Sequence, residues 1–367
     1  MWVPDFLPDF QQWTIPLQPD DEGDVIATLV RRDPTTRRTV YNRTHSPMRA
    51  AAFSHASQDE GFDVLYVHGW CDYFFQVHLA DYWERQGATF YGLDLRKYGR
   101  SLRAYQTPGF IDSLKTYGEE IEAALTLIAA ENSDNGTPPQ RRRLVLMGHS
   151  MGGLLLSLWL NDNPGRADGL VLNSPWLEFQ TGAVTRQALD GAVRLHATVK
   201  PRGHVVNPDR GFYSRSISTK YSGEWQINEA WRPFVTWQPT SAWLHAIFNA
   251  HDKVAKGLTI SAPVLVLIST RSTVPVRWSD DMLCTDTVLD VAAIAQRVSH
   301  VGLTVTLAQI EGALHDVTLS RAEARAQVWR EMDRWLKGYL PAVAPVSGPL
   351  TEPLRSRLWR WMRPQSR

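Results

Sequence analysis

Hydrophobic and polar positions alternate along this chain in blocks that switch between two periods. "FDVLYVHG" (62–69) is a short apolar run of the kind a buried strand shows, and "FFQVHLADYWERQG" (74–87) then spaces its apolar residues as an amphipathic helix does. "ATFYGLDL" (88–95) reads as the next strand, and "YGEEIEAALTLIAAE" (117–131) as the next helix. A polar loop, "NSDNGTPPQRRR", leads to the apolar run Leu144-Val145-Leu146-Met147, after which Leu154, Leu155, Leu158 and Trp159 recur at helical spacing. "ADGLVLNSP" (167–175) and "APVLVLIST" (262–270) supply two further strands. A helix near 288–299, the strand "GLTVTLAQI" and a final helix from about Leu319 to Trp335 complete the series. Strands alternating with helices imply a parallel sheet with right-handed crossovers. Ahead of it, "WTIPLQPDDEGDVIATLVRR" (13–32) shows two partly alternating runs around a turn-rich centre, which predicts an antiparallel hairpin.

The alternation lapses between about Trp176 and Leu258, a stretch rich in large aromatics that include Trp176, Trp225, Trp231, Trp237 and Trp243. The simplest organisation is one α/β core, 1–175 with 259–340, carrying residues 176–258 as an inserted cap. Its tryptophans fit a hydrophobic pocket wall and the cap's own core equally well. Residues 341–367 read as a Pro-rich linker and a basic amphipathic tail, "LRSRLWRWMRPQSR". Such a tail suits weak contact with an anionic membrane surface, or docking on its own protein.

The strand-to-helix junction at 145–158, "VLMGHSMGGLLLSL", holds a chemical signal. Gly148-His149-Ser150-Met151-Gly152 is a G-x-S-x-G pattern between a strand and a helix, the setting in which a serine stands exposed on a strained turn as a nucleophile. A small-residue helix start is the alternative. A serine needs a base, and the base needs an orienting acid. In an open parallel sheet both belong on loops beyond the carboxyl ends of later strands. His315 in "IEGALHDV" follows the strand ending at Ile310 and is the candidate base, whereas His300 ends a helix on the wrong side of that strand. His149 is expected to pack near the oxyanion loop and His68 to fix its own loop. Four aspartates follow "PVLVLIST": Asp280, Asp281, Asp286 and Asp290. Asp286 stands at the end of the loop, just ahead of a helix, where it suits either the acid or an N-cap. Glu178 is a more distant alternative. Backbone N–H groups of Met151 and of Trp70, in "HGWCD", are the candidate oxyanion donors.

Together "LYVHGWCDYFF", "GLDLRKYGRS", "LMGHSMGG", "PVLVLIST", "TDTVLDV" and "EGALHDV" resemble the successive motifs of the serine aminopeptidase S33 and monoacylglycerol lipase-like branch of the α/β-hydrolases, over roughly residues 13–338. The resemblance implies an α/β-hydrolase fold with a mostly parallel central sheet, an N-terminal antiparallel hairpin and a cap. It also implies Ser150 as nucleophile, Asp286 as acid, His315 as base, and Trp70 and Met151 at the oxyanion hole. Two departures stand out. "RSTVPVRWSDDMLC" intervenes between the strand and Asp286, and "WCDY" replaces the Gly-Glu-His that lipase-like members carry after His-Gly.

Composition narrows the partners. Lys and Arg number 39 against 38 Asp and Glu, so a net charge of +1 gives no electrostatic reason to bind nucleic acid. The expected partner is a small-molecule ester, lactone included, with neither metal nor organic cofactor and with the oligomeric state left open. A peptidase would need carboxylates for the substrate amine, for which Glu178, Glu224 and Glu229 are candidates. A hydrolase-like fold that binds without chemistry is a third reading. Two cysteines, Cys71 and Cys284, no secretory pattern in "MWVPDFLPDFQQW" and no run of about 20 apolar residues suggest a cytoplasmic protein.

Overall fold

The computed structural model describes residues 1–36, 61–132, 142–179, 183–207, 209–274 and 276–340. The basic tail therefore lies outside the described residues. Nine described strands form one sheet: β1 (Val3–Pro4), β2 (Phe10–Asp20), β3 (Gly23–Arg32), β4 (Phe62–Val67), β5 (Ala88–Asp94), β6 (Arg143–His149), β7 (Gly169–Asn173), β8 (Val264–Ser269) and β9 (Val305–Ile310). Their spatial order is β1-β2-β3-β5-β4-β6-β7-β8-β9. The first three are antiparallel, as is β3 against β5, and all later pairings are parallel. This is the α/β-hydrolase fold with its N-terminal antiparallel hairpin.

The central parallel strands carry consecutive apolar residues, without alternation, because both faces of the sheet are covered. Leu65, Val67, Leu146, Leu170, Leu172, Val264 and Val266 face one core. Val64, Tyr66, Val145, Met147, Val171, Leu265 and Leu267 face the other. The second face is covered by helices α1 (Val77–Arg85) and α8 (Ala322–Tyr339). The first is covered by α2 (Gly118–Glu131), α3 (Met151–Asp162) and α7 (Val291–Arg297).

Between β7 and β8 lie α4 (Ala183–Val199), α5 (Phe212–Ile217) and α6 (Ser241–Lys256). Helix α6 lays Trp243, Leu244, Ile247, Phe248 and Val254 into the same core as α3, so the last helix of the 176–258 segment also serves as the crossover that returns the chain to β8. Boundaries differ from the sequence reading by a few residues. Helix α1 starts at Val77, three residues later than the periodicity suggests, and α8 runs on to Tyr339.

The feature that positions the site is the winding. From β4 the chain moves outward to β5 and then returns to β6 on the opposite side of β4, so the loops after β4 and β6 emerge side by side. Ligands in open α/β sheets bind where the winding reverses in this way. The approach is tight: a Cβ on Gly152 would lie 2.4 Å from the carbonyl oxygens of both Val67 and His68. No side-chain rotation relieves a clash with backbone. Gly152→Ala is accordingly expected to cost several kcal/mol, at the upper end of single substitutions. Gly191→Ala, in an open position of α4, is expected to gain up to about 1 kcal/mol. Thermal and urea denaturation of the two variants check both.

Candidate active site

Ser150 sits between β6 and α3 with φ +52° and ψ −115°, a conformation that a non-glycine residue adopts only at a cost of about 1–3 kcal/mol. Backbone bonds hold it there. Its N–H donates to the Asn173 carbonyl (3.0 Å), and its own carbonyl accepts from Gly153 (3.0 Å), Leu154 (3.2 Å) and Trp176 (3.1 Å). Met151 is the first residue of α3, so its N–H has no acceptor inside the helix. Across the seam, a Cβ on Gly69 would lie 3.0 Å from the Ser150 Cβ. The absence of that carbon brings the His68-Gly69-Trp70 turn against the serine.

His68 secures this turn, as the sequence suggested. Its Nε2 accepts from the Leu95 N–H (3.1 Å), and its Nδ1 donates to the Gly69 carbonyl (2.7 Å). Burial lowers its pKa, which favours the neutral ring that this pattern requires.

His315, 3% exposed, lies in the loop after β9, and its Nδ1 donates to Asp286 Oδ2 at 2.9 Å. The second Asp286 oxygen accepts from the Val288 and Leu289 N–H groups, both at 2.8 Å. That arrangement leaves the His315 Nε2 lone pair for a hydroxyl proton. The ring of His149, next to the serine, lies 4.9 Å from the His315 ring. Burial pushes His149 down to about 3, so it is a neutral neighbour at physiological pH.

The other aspartates have different work. Asp290 caps α7 by accepting from Ala292 and Ala293, and Asp281 pairs with Arg271 and Thr273 near the surface. His300 Nδ1 bonds the Ala255 carbonyl (3.1 Å). The segment that intervenes before Asp286 is a closed excursion. Asp286 N–H donates to the Arg271 carbonyl (3.1 Å) and Thr273 N–H donates to the Asp286 carbonyl (2.9 Å), which returns the aspartate to the carboxyl end of β8.

The insertion's aromatics divide into two groups. Trp243 packs on Trp70 with ring centroids 3.9 Å apart, flanked by Trp176 (5.9 Å from Trp243) and Trp237 (6.4 Å from Trp70), around the turn that faces the serine. Trp225 and Trp231 instead fasten the insertion. Trp225 stacks on His78 at 4.0 Å and donates to the Leu319 carbonyl at 2.7 Å, and Trp231 meets Tyr73 at 5.2 Å and Phe6 at 4.9 Å.

Four residues that the sequence reading passed over also belong here. Arg232 and Tyr213 come from the segment between β7 and β8: Arg232 lies 3.3 Å from Asp72 on the loop after β4 and 5.1 Å over the Tyr213 ring, which meets the His315 ring at 5.5 Å. Asp316 and Asn173 join beneath the histidine, their side chains 2.6 Å apart. Polar residues at strand ends, "LNS" and "LHDV", were the visible signal.

The fold is that of an α/β-hydrolase, and the family follows from sequence comparison. Residues 62–321 match the family described as serine aminopeptidase, S33, and the chain belongs to that hydrolase family. A monoacylglycerol lipase of Mycolicibacterium smegmatis is 28% identical over 153 residues, 41% of this chain and 50% of that protein, so the match spans about half the length of that relative. Among solved structures, the monoacylglycerol lipase of Paleococcus ferrophilus superposes with a TM-score of 0.54 at 18% identity, covering 76% of this chain and 94% of that one. The monoglyceride lipase of Saccharomyces cerevisiae, solved with a substrate analogue, gives 0.56 at 16% over 89% and 96%. A thermostable carboxyl esterase of Bacillus coagulans gives 0.58 at 13% over 90% and 99%. These structural likenesses concern the fold.

Two outcomes follow from the electrostatics. Asp290→Ala is expected to lower stability by about 1 kcal/mol through its lost cap, without disturbing the His315–Asp286 pair; denaturation and crystallography test this. Burial pushes the Asp72 carboxyl from its ordinary 3.8 up to about 7, against the pull of Arg232. Between those values the folded chain holds a proton that the unfolded chain releases, so this group's contribution to stability falls as pH rises from about 4 to about 7. Melting temperatures across that range should therefore decline more steeply for the native chain than for Asp72→Asn.

Proposed function

We propose that this protein hydrolyses carboxylic esters through an acyl-enzyme on Ser150. The hydrogen bond from His315 to Asp286, with the His315 ring 4.9 Å from that of His149 beside a serine in a strained turn, carries the reading. His315 Nε2 takes the serine proton as Oγ attacks the carbonyl carbon, and the carbonyl oxygen gains negative charge near the Met151 and Trp70 N–H groups. Collapse expels the alcohol with the proton from His315, and a water repeats the sequence to free the acid. Asp286 keeps Nδ1 protonated and stabilises the imidazolium. These residues complete both half-reactions as described.

The ester is favoured over the peptide by the state of the candidate amine-binding carboxylates. Glu178 pairs with Arg297, Glu224 with Arg325 and Glu229 with Lys220. Each of the three already has a basic side chain as its partner. The relatives named as monoacylglycerol lipases support an acyl ester substrate, and the tryptophans around Trp70 supply an apolar wall for it. No described helix is long and apolar enough to cross a membrane, and both cysteines are unpaired, which suits the cytoplasm.

Ser150→Ala should abolish nearly all turnover of nitrophenyl acyl esters, and Asp286→Asn should lower kcat by about 10⁴-fold, the effect of presenting the wrong imidazole tautomer. Across acyl chains of increasing length, kcat/KM should rise about fourfold per methylene where the chain is buried, from ~0.8 kcal/mol per CH₂. Wild-type rates in the Ser150 variant would overturn the serine mechanism. A flat chain-length series would place the acyl chain outside the tryptophan wall.

A further inference from the structure

The proposed nucleophile and base leave the sheet far apart. Strand β6 and strand β9 are separated by β7 and β8, a span of about 14 Å at ~4.8 Å per strand. The histidine loop has to fold back across two strands and hold its place there to within a fraction of an ångström.

Asn173, the last residue of β7, stands between them and is fully buried. Its backbone carbonyl accepts the Ser150 N–H at 3.0 Å, the bond that ties down the strained turn. Its side chain reaches the opposite way. Nδ2 donates to Asp316 Oδ1 at 2.6 Å, and Oδ1 accepts the Val317 N–H at 3.0 Å, the two residues that follow His315.

Asp316, also fully buried, gathers the rest of that loop. Its Oδ1 accepts the Thr318 N–H (2.9 Å) and hydroxyl (2.7 Å), and its Oδ2 accepts from Gln76 at 3.3 Å. Gln76 belongs to the segment after β4, where its Oε1 also accepts the Phe75 N–H at 3.0 Å. The Asp316 N–H donates to the Tyr213 hydroxyl of the insertion at 3.1 Å. Burial alone would raise the Asp316 pKa, but the bonds from Thr318 and Asn173 bring it below its ordinary value. A buried carboxylate with this many donors is a rigid node.

We infer that Asn173 and Asp316 form a bracket that sets the distance between the serine turn and the histidine loop, and that both are positioning residues for the hydrolysis. The inference rests on the Ser150–His315–Asp286 reading above. Neither residue touches the reacting atoms; each acts through the backbone that carries them. Misplacement of a catalytic group by about 1 Å costs on the order of 100-fold in rate, and substrate binding does not depend on that distance.

The test is a double-mutant cycle in the full chain, with kcat and KM for a nitrophenyl ester, the rate of serine labelling by a fluorophosphonate, and the melting temperature. Asn173→Ala and Asp316→Ala should each lower kcat on the order of 100-fold with KM within about threefold. The double variant should lose little beyond the worse single one, as expected for residues acting as a unit. Labelling should slow in step with kcat. Asp316→Asn, which keeps an acceptor for Thr318 and Asn173, should retain activity to within about tenfold. If the alanine variants do not fold, Thr318→Val, which removes one bond to Asp316, should still lower kcat severalfold at unchanged KM. Wild-type kcat in Asn173→Ala or Thr318→Val, additive losses in the cycle, or losses carried by KM would overturn the bracket. Ser150→Ala run alongside separates the two ideas. If it keeps turnover, the serine mechanism falls; if it loses turnover while Asn173→Ala does not, only the bracket falls.

Discussion

Everything at the proposed site depends on how closely two backbones can approach where the sheet changes its direction of winding. Strands β4 and β6 are neighbours, and the start of α3 presses at Gly152 against the carbonyls that end β4. This contact sets how far the serine turn stands from the His68-Gly69-Trp70 turn. A side chain at either glycine would push the two apart. The strain at Ser150 persists because four backbone hydrogen bonds, from β7, from α3 and from Trp176, together outweigh its ~1–3 kcal/mol.

Fastening of the insertion is graded. Exposed pairs such as Glu224–Arg325 are worth about 0–1 kcal/mol each and do little to hold it. Arg232–Asp72 is buried, so removal of the carboxyl partner strands the arginine's charge in the interior at about 3–5 kcal/mol. With the Trp225 bond to the Leu319 carbonyl, it attaches the insertion to both the loop after β4 and the loop after β9. The segment between β7 and β8 therefore bears on both of those loops.

The parallel strands, the hairpin, the serine turn and the histidine were legible in the sequence because each is a local signal: a run of apolar residues, a cluster of glycines, a polar residue after a strand. Helix limits were less so, since α1 begins where Gln76 is drawn into a buried network that no periodicity reveals. The insertion was legible only as a lapse. Helix α6 has a clear apolar face, yet its membership in the main core depends on contact with α3, more than eighty residues earlier in the chain. The roles of the tryptophans were likewise a matter of tertiary position, and the structure assigns Trp176, Trp237 and Trp243 to one place and Trp225 and Trp231 to others.

Asp286 shows why a pairing can be sound in outline and still unreadable in detail. Four aspartates competed, and the sequence favoured Asp286 by chain order and by its place at the end of the loop. What distinguishes them is where their lone pairs are used: Asp290 on the first N–H groups of α7, Asp281 on Arg271 and Thr273, Asp286 on two N–H groups and the histidine ring. That division requires the chain between Arg271 and Asp286 to close on itself, and the closure is made by two backbone hydrogen bonds that carry no side-chain signature. A sequence records which groups are available to donate or accept. Which of them meet is decided by the loop's closure, and here that closure places a carboxylate on Nδ1 of the imidazole.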